Sequence, residues 1–321
     1  MTVKIRLAVR DWDYLTPLVL GEVRAEGIDL QVDRVTALPD DLATDARYDA
    51  AEMSMSRYCL GRARGEDAVV GLPNFLMRAF RLRCIVTVKN SKLMRLADLK
   101  GKRVGIAGWQ DSGNTWTRAL LRREGVAIDD IYWAVSRLMA NHPITDRVGR
   151  YARPGRIETV KGDTPLMELL ARGEIDAVFM PFMPPGFFAP DSEFRQLVPD
   201  FRAAELAYFR DVGYVPGIHL LGVKADIAAR APQAARALSD AIDRSTRLWL
   251  ERRQRYADTT PWIIDELLRV GHDLPADWNA SGYRANAKMI AGFCAELEAQ
   301  ALTPAAPAPE SLFPLSIEMD A

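Results

Sequence analysis

Three cysteines and three histidines are all the sulfhydryl and imidazole groups that 321 residues supply. Cys59, Cys84 and Cys294 are far apart, odd in number and never in a CxxC pair. That spacing argues against a disulfide framework and fits a reducing compartment. His142, His219 and His272 share no metal-ligand spacing with one another or with a cysteine, so no metal site is read from the sequence. HExxH, GxSxG, GxGxxG and Gly-Lys-Ser/Thr signatures are missing too, which argues against zinc hydrolysis, a nucleophile elbow and dinucleotide binding. Acid–base chemistry has to rest on one of the few histidines or on carboxylate, Tyr, Cys, Ser or Lys groups. No apolar run is long enough to span a membrane. The N-terminal MTVKIRLAVRDWD carries Lys4, Arg6 and Arg10 and has no signal-peptide core, so a cytoplasmic location is expected. An excess of one charge is also lacking: 42 Lys and Arg face 43 Asp and Glu. That balance leaves no electrostatic footprint for nucleic acid.

What the chain does have is a patterned α/β order. Leu96 to Val126 is its clearest stretch. Arg103 to Ala107 reads as a short buried strand, Gly108 to Asn114 as a polar loop, and the residues from there to Gly125 as a helix capped by Ser112 or Asn114. Strand, polar loop and helix N-terminus together form the usual anion-binding arrangement of α/β proteins, although the same pattern also serves as an ordinary βα unit. Val3, Ile5, Leu7 and Val9 alternate with other residues and predict a first strand with one covered face. It runs into Asp11-Trp12-Asp13-Tyr14, where Asp11 or Trp12 is placed either at a ligand cleft beyond a strand end or in a solvated turn. Helices are expected at Thr16–Arg24 and Pro39–Ala46, and a strand from Ile28 to Val35. Tyr48 to Ser56 predicts a strand that delivers Glu52, Ser54 and Ser56 into a turn before a helix. The two serines suit either anion binding or helix capping.

Further along, Ala68–Leu72 predicts a strand, Pro73-Asn74 a turn, and Arg81–Val88 another strand. Arg78, Arg81 and Arg83 form a basic cluster. At least one of them is expected on a solvated face, and one is a candidate for a bidentate grip on a carboxylate. Ser136 to Arg156 has no clear period and reads as a surface excursion. His219 opens a strand after Gly213-Tyr214-Val215-Pro216-Gly217 and has the best setting of the three histidines for chemistry, or else it is a hydrogen-bonded core residue. Helices at Ala231–Leu250, Thr260–Arg269 and Trp278–Ala299 precede an Ala/Pro linker and a tail from Ser311 to Ile317.

AEMSMSRY (51–58), MRAFRLRCIVTV (77–88), TWTRALL (115–121), IYW (131–133), GEIDAVF (173–179) and the stretch from Leu197 to His219 follow one another in order. Together they resemble the 4,5-dihydroxyphthalate decarboxylase family. The similarity runs over most of Met1 to Val223 and thins beyond it. The resemblance implies an α/β, two-lobed fold of the type II periplasmic-binding-protein kind. Residues 1–84 and 219–321 would form lobe 1, and 85–218 lobe 2. The implied activity is cofactor-independent decarboxylation of a hydroxylated, phthalate-like acid bound in the cleft between lobes, a carbon–carbon lyase reaction of aromatic catabolism. A non-catalytic solute-binding or sensor protein for a small carboxylate is the alternative. On this resemblance, His219 and Glu52 are the acid–base candidates. Asp11, Trp12, Ser54, Ser56, Arg78, Arg81, Ser112, Asn114, Thr115, Arg118 and Tyr214 are candidate substrate contacts, and Trp109 or Trp116 stacks on the ring. The expected partner is a small aromatic or other small carboxylate, with no nucleic acid and no membrane; a homo-oligomer is one option, and the oligomeric state stays open. The family pattern carries a histidine after its Phe-Arg pair; here Phe80-Arg81 is followed by Leu82.

Overall fold

A computed structural model describes residues 3–315. Ser316 and Ile317, the end of the expected tail, lie outside the described residues. Contacts divide the chain into two compact units. The first runs up to Arg78, resumes at Gly217–Cys294 and takes in the chain from Pro307 onward. The second comprises Ala79–Pro216 and Ala295–Ala306. The sequence-based division assigns 79–84 and the whole C-terminal region to the first lobe and 217–218 to the second; here 79–84 and 295–306 group with the second unit, and 217–218 with the first. The reason for 295–306 is local, since Gln300 and Leu302 bond to Arg118, Arg150 and Tyr151 of the second unit.

The first unit begins with β1 (Val3–Val9), α1 (Thr16–Val19), β2 (Ile28–Arg34), β3 (Ala50–Ser54), α2 (Met55–Ala63) and β4 (Val69–Arg78). The second holds β5 (Ile85–Val88), β6 (Arg103–Ile106), α3 (Ser112–Arg123), β7 (Tyr132–Val135), β8 (Ile157–Thr159), α4 (Leu166–Ala171), β9 (Ala177–Phe179), β10 (Phe194–Gln196) and α5 (Phe201–Val212). The chain then returns through β11 (Gly217–Lys224), α6 (Ala225–Arg230), α7 (Pro232–Arg255), α8 (Ile263–Asp273), α9 (Tyr283–Ala299) and α10 (Pro309–Leu312).

The first unit's sheet has the order β2-β1-β3-β11-β4, with β2, β1 and β3 parallel and β11 antiparallel to both its neighbours. Ile5, Leu7 and Val9 join a core with the alanine-rich face of α7, where Ala234, Leu238, Ala241 and Ile242 are buried. Ala8 packs on the opposite side with Leu42, Tyr48 and Ala51. The end of β1 is therefore covered on both faces, as parallel strands are, and not on one face as its alternation suggested.

Three other expectations change. The helix expected over Thr16–Arg24 stops at Val19, because Gly21 takes φ +75° and turns the chain early. Pro39–Ala46 forms turns and no helix. Pro73-Asn74 does not turn: β4 runs through it, and the register against β11 slips so that Leu221 faces Leu72 while His219 faces Met77. A bulge absorbs the proline that a regular ladder would reject.

The second unit's sheet has the order β10-β5-β9-β6-β7-β8, parallel from β9 through β8. Val86, Val178, Leu166 and Leu170 lie in its core. Arg81–Val88 is not one strand. Leu82–Cys84 makes a single 3-10 turn before β5. α3 starts as expected near Ser112, but Asp111 occupies the N-cap position, and Asn114 lies within the first turn. Gly125, at φ +71°, follows its end. No helix among the described residues is long and apolar enough to cross a membrane.

Candidate active site

Parallel strands β1 and β3 are neighbours with Leu7 opposite Ala50 and Ala8 opposite Ala51, so their C-terminal ends lie side by side. Glu52 and Ser54 project from the same face of β3, two residues apart. On the adjacent antiparallel strand His219 stands opposite Ser54, which makes Glu52 its diagonal neighbour. The imidazole spans that diagonal: His219 Nδ1 is 2.6 Å from Glu52 Oε1. The other carboxylate oxygen accepts two more bonds, from the Arg10 backbone N–H at 3.0 Å and from the Trp12 indole N–H at 2.8 Å. Both donors come from the residues just past β1.

Glu52 is fully buried, whereas the His219 side chain keeps 16% of its surface exposed. An isolated carboxylate in such a place would be costly. Three donors on two oxygens offset that cost and hold the side chain in one position. With Nδ1–H turned to Glu52, the lone pair or second proton of the ring sits on Nε2. From the sequence His219 is the expected proton carrier and Glu52 the reserve acid–base group; their contact is not legible there, and neither is the Arg10 amide, because a backbone donor leaves no side-chain signal.

The remaining candidates of this unit separate. Asp11 is exposed and pairs with Arg34 at 2.7 Å, away from Glu52's bonding network. Ser54 caps α2, its hydroxyl accepting from the Arg57 N–H at 3.4 Å, and Ser56 is buried in that helix's first turn. Arg78 is no free anion grip. One of its nitrogens reaches both the Ala280 carbonyl at 3.0 Å and Asn286 Oδ1 at 2.6 Å, its guanidinium lies over Phe75, and burial lowers its pKa to about 10.

In the second unit, Arg118 is likewise structural. It is fully buried, donates to Gln300 Oε1 at 2.7 Å and to the Trp109 carbonyl at 2.8 Å, and stacks 4.2 Å from the Trp109 ring. Burial lowers its pKa to about 9, which leaves it cationic at neutral pH. Trp109 is 2% exposed and covered edge-on by Trp133, so it offers no open face for stacking. Trp116 and Tyr214 do meet, with ring centroids 5.8 Å apart.

Arg81 makes fewer bonds. Its side chain is buried, and Nη1, like Arg78 Nε and Arg118 Nη1, finds no hydrogen-bond partner. Nε lies 3.4 Å from the Thr117 hydroxyl. The guanidinium rests on the start of α3, so closely that a Cβ on Gly113 would fall 2.8 Å from Nη2. Ser112, Gly113 and Asn114 form that first turn, and the amides there have no intrahelical acceptor. Asn114 instead ties its side-chain amide to the Gly108 carbonyl at 2.7 Å, and Thr115 turns its hydroxyl to the Asp111 carbonyl at 3.2 Å. A buried cation with one weak hydrogen bond beside a helix N-terminus is a candidate anion grip by charge, and the Glu205 carboxylate is close enough to interact with it. Nearby Glu205 accepts from the Arg83 N–H at 3.0 Å, and burial raises its pKa. Neither Gly113 nor Glu205 stood out in the sequence, since one contributes backbone and the other lies on a helix far along the chain. Leu82 is buried in the turn that follows Arg81.

The two sheets and their crossing order define the class: this is the α/β fold of periplasmic binding proteins. Residues 24–149 match the family described as NMT1/THI5 like. The aliphatic sulphonate binding protein SsuA from Escherichia coli superposes with a TM-score of 0.57 at 15% identity, over 98% of this chain and 92% of that one. The desulfurization enzyme DSZB gives a TM-score of 0.51 at 17% identity, covering 99% of this chain and all of the other. The particular family is narrower. A 4,5-dihydroxyphthalate decarboxylase from Comamonas testosteroni is 30% identical over 98% of both chains. The chain belongs to the 4,5-dihydroxyphthalate decarboxylase family.

Proposed function

We propose that the protein decarboxylates a hydroxylated aromatic acid of the phthalate type, with His219 carrying the proton and Glu52 holding His219. The observation that carries this reading is the buried Glu52 carboxylate, bonded at once to His219, Trp12 and the Arg10 amide. A ring hydroxyl feeds electron density into the ring, and the carbon bearing the carboxylate takes a proton from Nε2 of the imidazolium. CO2 then departs, the electron pair of the broken carbon–carbon bond returns to the ring and restores its aromaticity, and water restores the proton to His219. Glu52 stabilises the cation and fixes the ring orientation. No electron is gained or lost in the sum, so the proposed chemistry calls for no redox cofactor. Arg81 and the first turn of α3 are the proposed carboxylate-binding groups, and Trp12, Trp116 and Tyr214 the proposed aromatic contacts. Asp11, Arg78, Trp109 and Arg118 are left out, because Asp11 pairs with Arg34, Trp109 is buried, and Arg78 and Arg118 each donate to at least two acceptors in the core.

The solute-binding alternative draws on one feature, Leu82 in place of the family's histidine. Turnover separates the two. The purified protein is incubated with 4,5-dihydroxyphthalate and other hydroxylated phthalates while CO2 and ring absorbance are followed. Stoichiometric CO2 release supports the lyase. Saturable binding with no product supports a receptor.

A further inference from the structure

A cavity of about 440 Å3 opens on the second unit, lined by none of the residues proposed above for catalysis or carboxylate binding. Its volume falls in the range of small-molecule sites. Ile128, Ile157 and the Trp109 indole are among its apolar lining residues. Three guanidinium groups stand around it, Arg122 from the end of α3 with Arg150 and Arg153 from the following excursion, against one lining carboxylate, Asp129.

The three cations are not equally engaged. Arg122 is tied to Glu296 at 3.2 Å in a half-buried pair. Arg153 pairs with Asp129 at 2.6 Å, but both side chains are about half exposed or more, and such a pair contributes little and exchanges readily. Arg150 has no carboxylate partner among the described residues. It lies 5.2 Å from the Tyr151 ring centroid, and one nitrogen reaches the Tyr151 hydroxyl at 3.2 Å and the Leu302 carbonyl at 3.4 Å. A planar cation held against an aromatic ring, with a second one in a loose pair and apolar side chains in the same lining, matches a flat organic body bearing carboxylates.

We propose that this cavity is a second ligand site, for a small aromatic carboxylate held by Arg150 and Arg153 among the apolar lining residues Ile128 and Ile157. The site stands on its own residues and does not depend on the decarboxylase reading. The test is calorimetric titration of the full chain with phthalate, and separately with inorganic sulfate. The wild type and His219→Asn should share a phthalate-binding component that Arg150→Gln/Arg153→Gln weakens at least tenfold. Glutamine retains a hydrogen-bond donor toward Leu302, and circular dichroism confirms that the variant folds. Asp129→Asn, which removes the competing carboxylate, should tighten the same component by up to about fivefold, the reach of an exposed ion pair. Sulfate, with the charge but no flat body, should bind it at least tenfold more weakly. Unchanged affinity in the double variant, or sulfate binding as tightly as phthalate, would overturn the proposal.

Discussion

Replacing Glu52 by Gln probes the proposed chemistry with the smallest change of shape. The amide oxygen can still accept from the Arg10 N–H and the Trp12 indole, the two donors now on Oε2. The amide nitrogen then faces His219 Nδ1, where Oε1 stood at 2.6 Å. Nitrogen there is a donor, so His219 must present a lone pair at Nδ1 and carry its proton on Nε2. The substitution thus reverses the tautomer and removes the anion that balances the imidazolium. A hydrogen bond to a charged group contributes about 1.5–3 kcal/mol net. If that amount is felt where the ring gives up its proton, kcat falls by about 10- to 150-fold. KM should move little, because the proposed carboxylate grips lie elsewhere. The assay is steady-state CO2 release with a melting curve, and a 15N spectrum of His219 to read the tautomer. A Glu52→Gln protein that melts like the wild type, shows the reversed tautomer and still turns over within twofold would refute the role given to this pair. Alanine would be a poor choice here. It would strand three donors without an acceptor around a fully buried position, and each stranded group costs about 1–3 kcal/mol.

Three further outcomes follow from the same geometry. His219→Asn should lower kcat by at least about a hundredfold, the general acid–base contribution, while ligand binding by calorimetry persists; unchanged turnover would remove His219 from the reaction. Arg118→Leu should destabilise the second unit by about 2–4 kcal/mol in urea unfolding, since Gln300 Oε1 and the Trp109 carbonyl lose their donor inside the core; a loss confined to ligand affinity would restore Arg118 to the binding site. Burial raises the pKa of Asp243, against the hydrogen bond it accepts from Ser281 at 2.7 Å. A carboxylate raised in the folded state penalises folding once ionised, so this penalty is absent below the unfolded pKa of about 3.9 and grows as pH rises through the folded value. The melting temperature of Asp243→Asn relative to wild type should therefore increase from pH 4 to 7, and a flat difference would contradict the assignment.

Pattern alone went far with the elements that alternate or terminate on glycine. β1, β3, the start of α3 and the long helix α7 lie where periodicity puts them, although Asp111, and neither expected residue, is the N-cap of α3. It failed where a neighbour overrode local preference. Pro73 reads as a turn in isolation, yet β11 and its bulge carry the strand past it. The Arg81 stretch alternates like a strand but is bent into a turn that lays the guanidinium on Gly113.

Sequence by itself determined which groups were available. With three histidines and no nucleophile or metal signature, His219 and a carboxylate were the natural acid–base candidates, and a loop before a helix was a natural anion site. Only the tertiary structure decided which groups are free to act. The arginines look alike in the sequence, but Arg78 and Arg118 each donate to at least two acceptors in the core, whereas Arg81 makes a single long contact, to the Thr117 hydroxyl. Glu52 and His219 are 167 residues apart and meet because β3 and β11 are adjacent in one sheet. Residue type limits the chemistry a side chain can perform, but its partners and burial set its charge, its orientation and its freedom to bind. Those partners arrive from distant parts of the chain through strand register and packing, which no local pattern records.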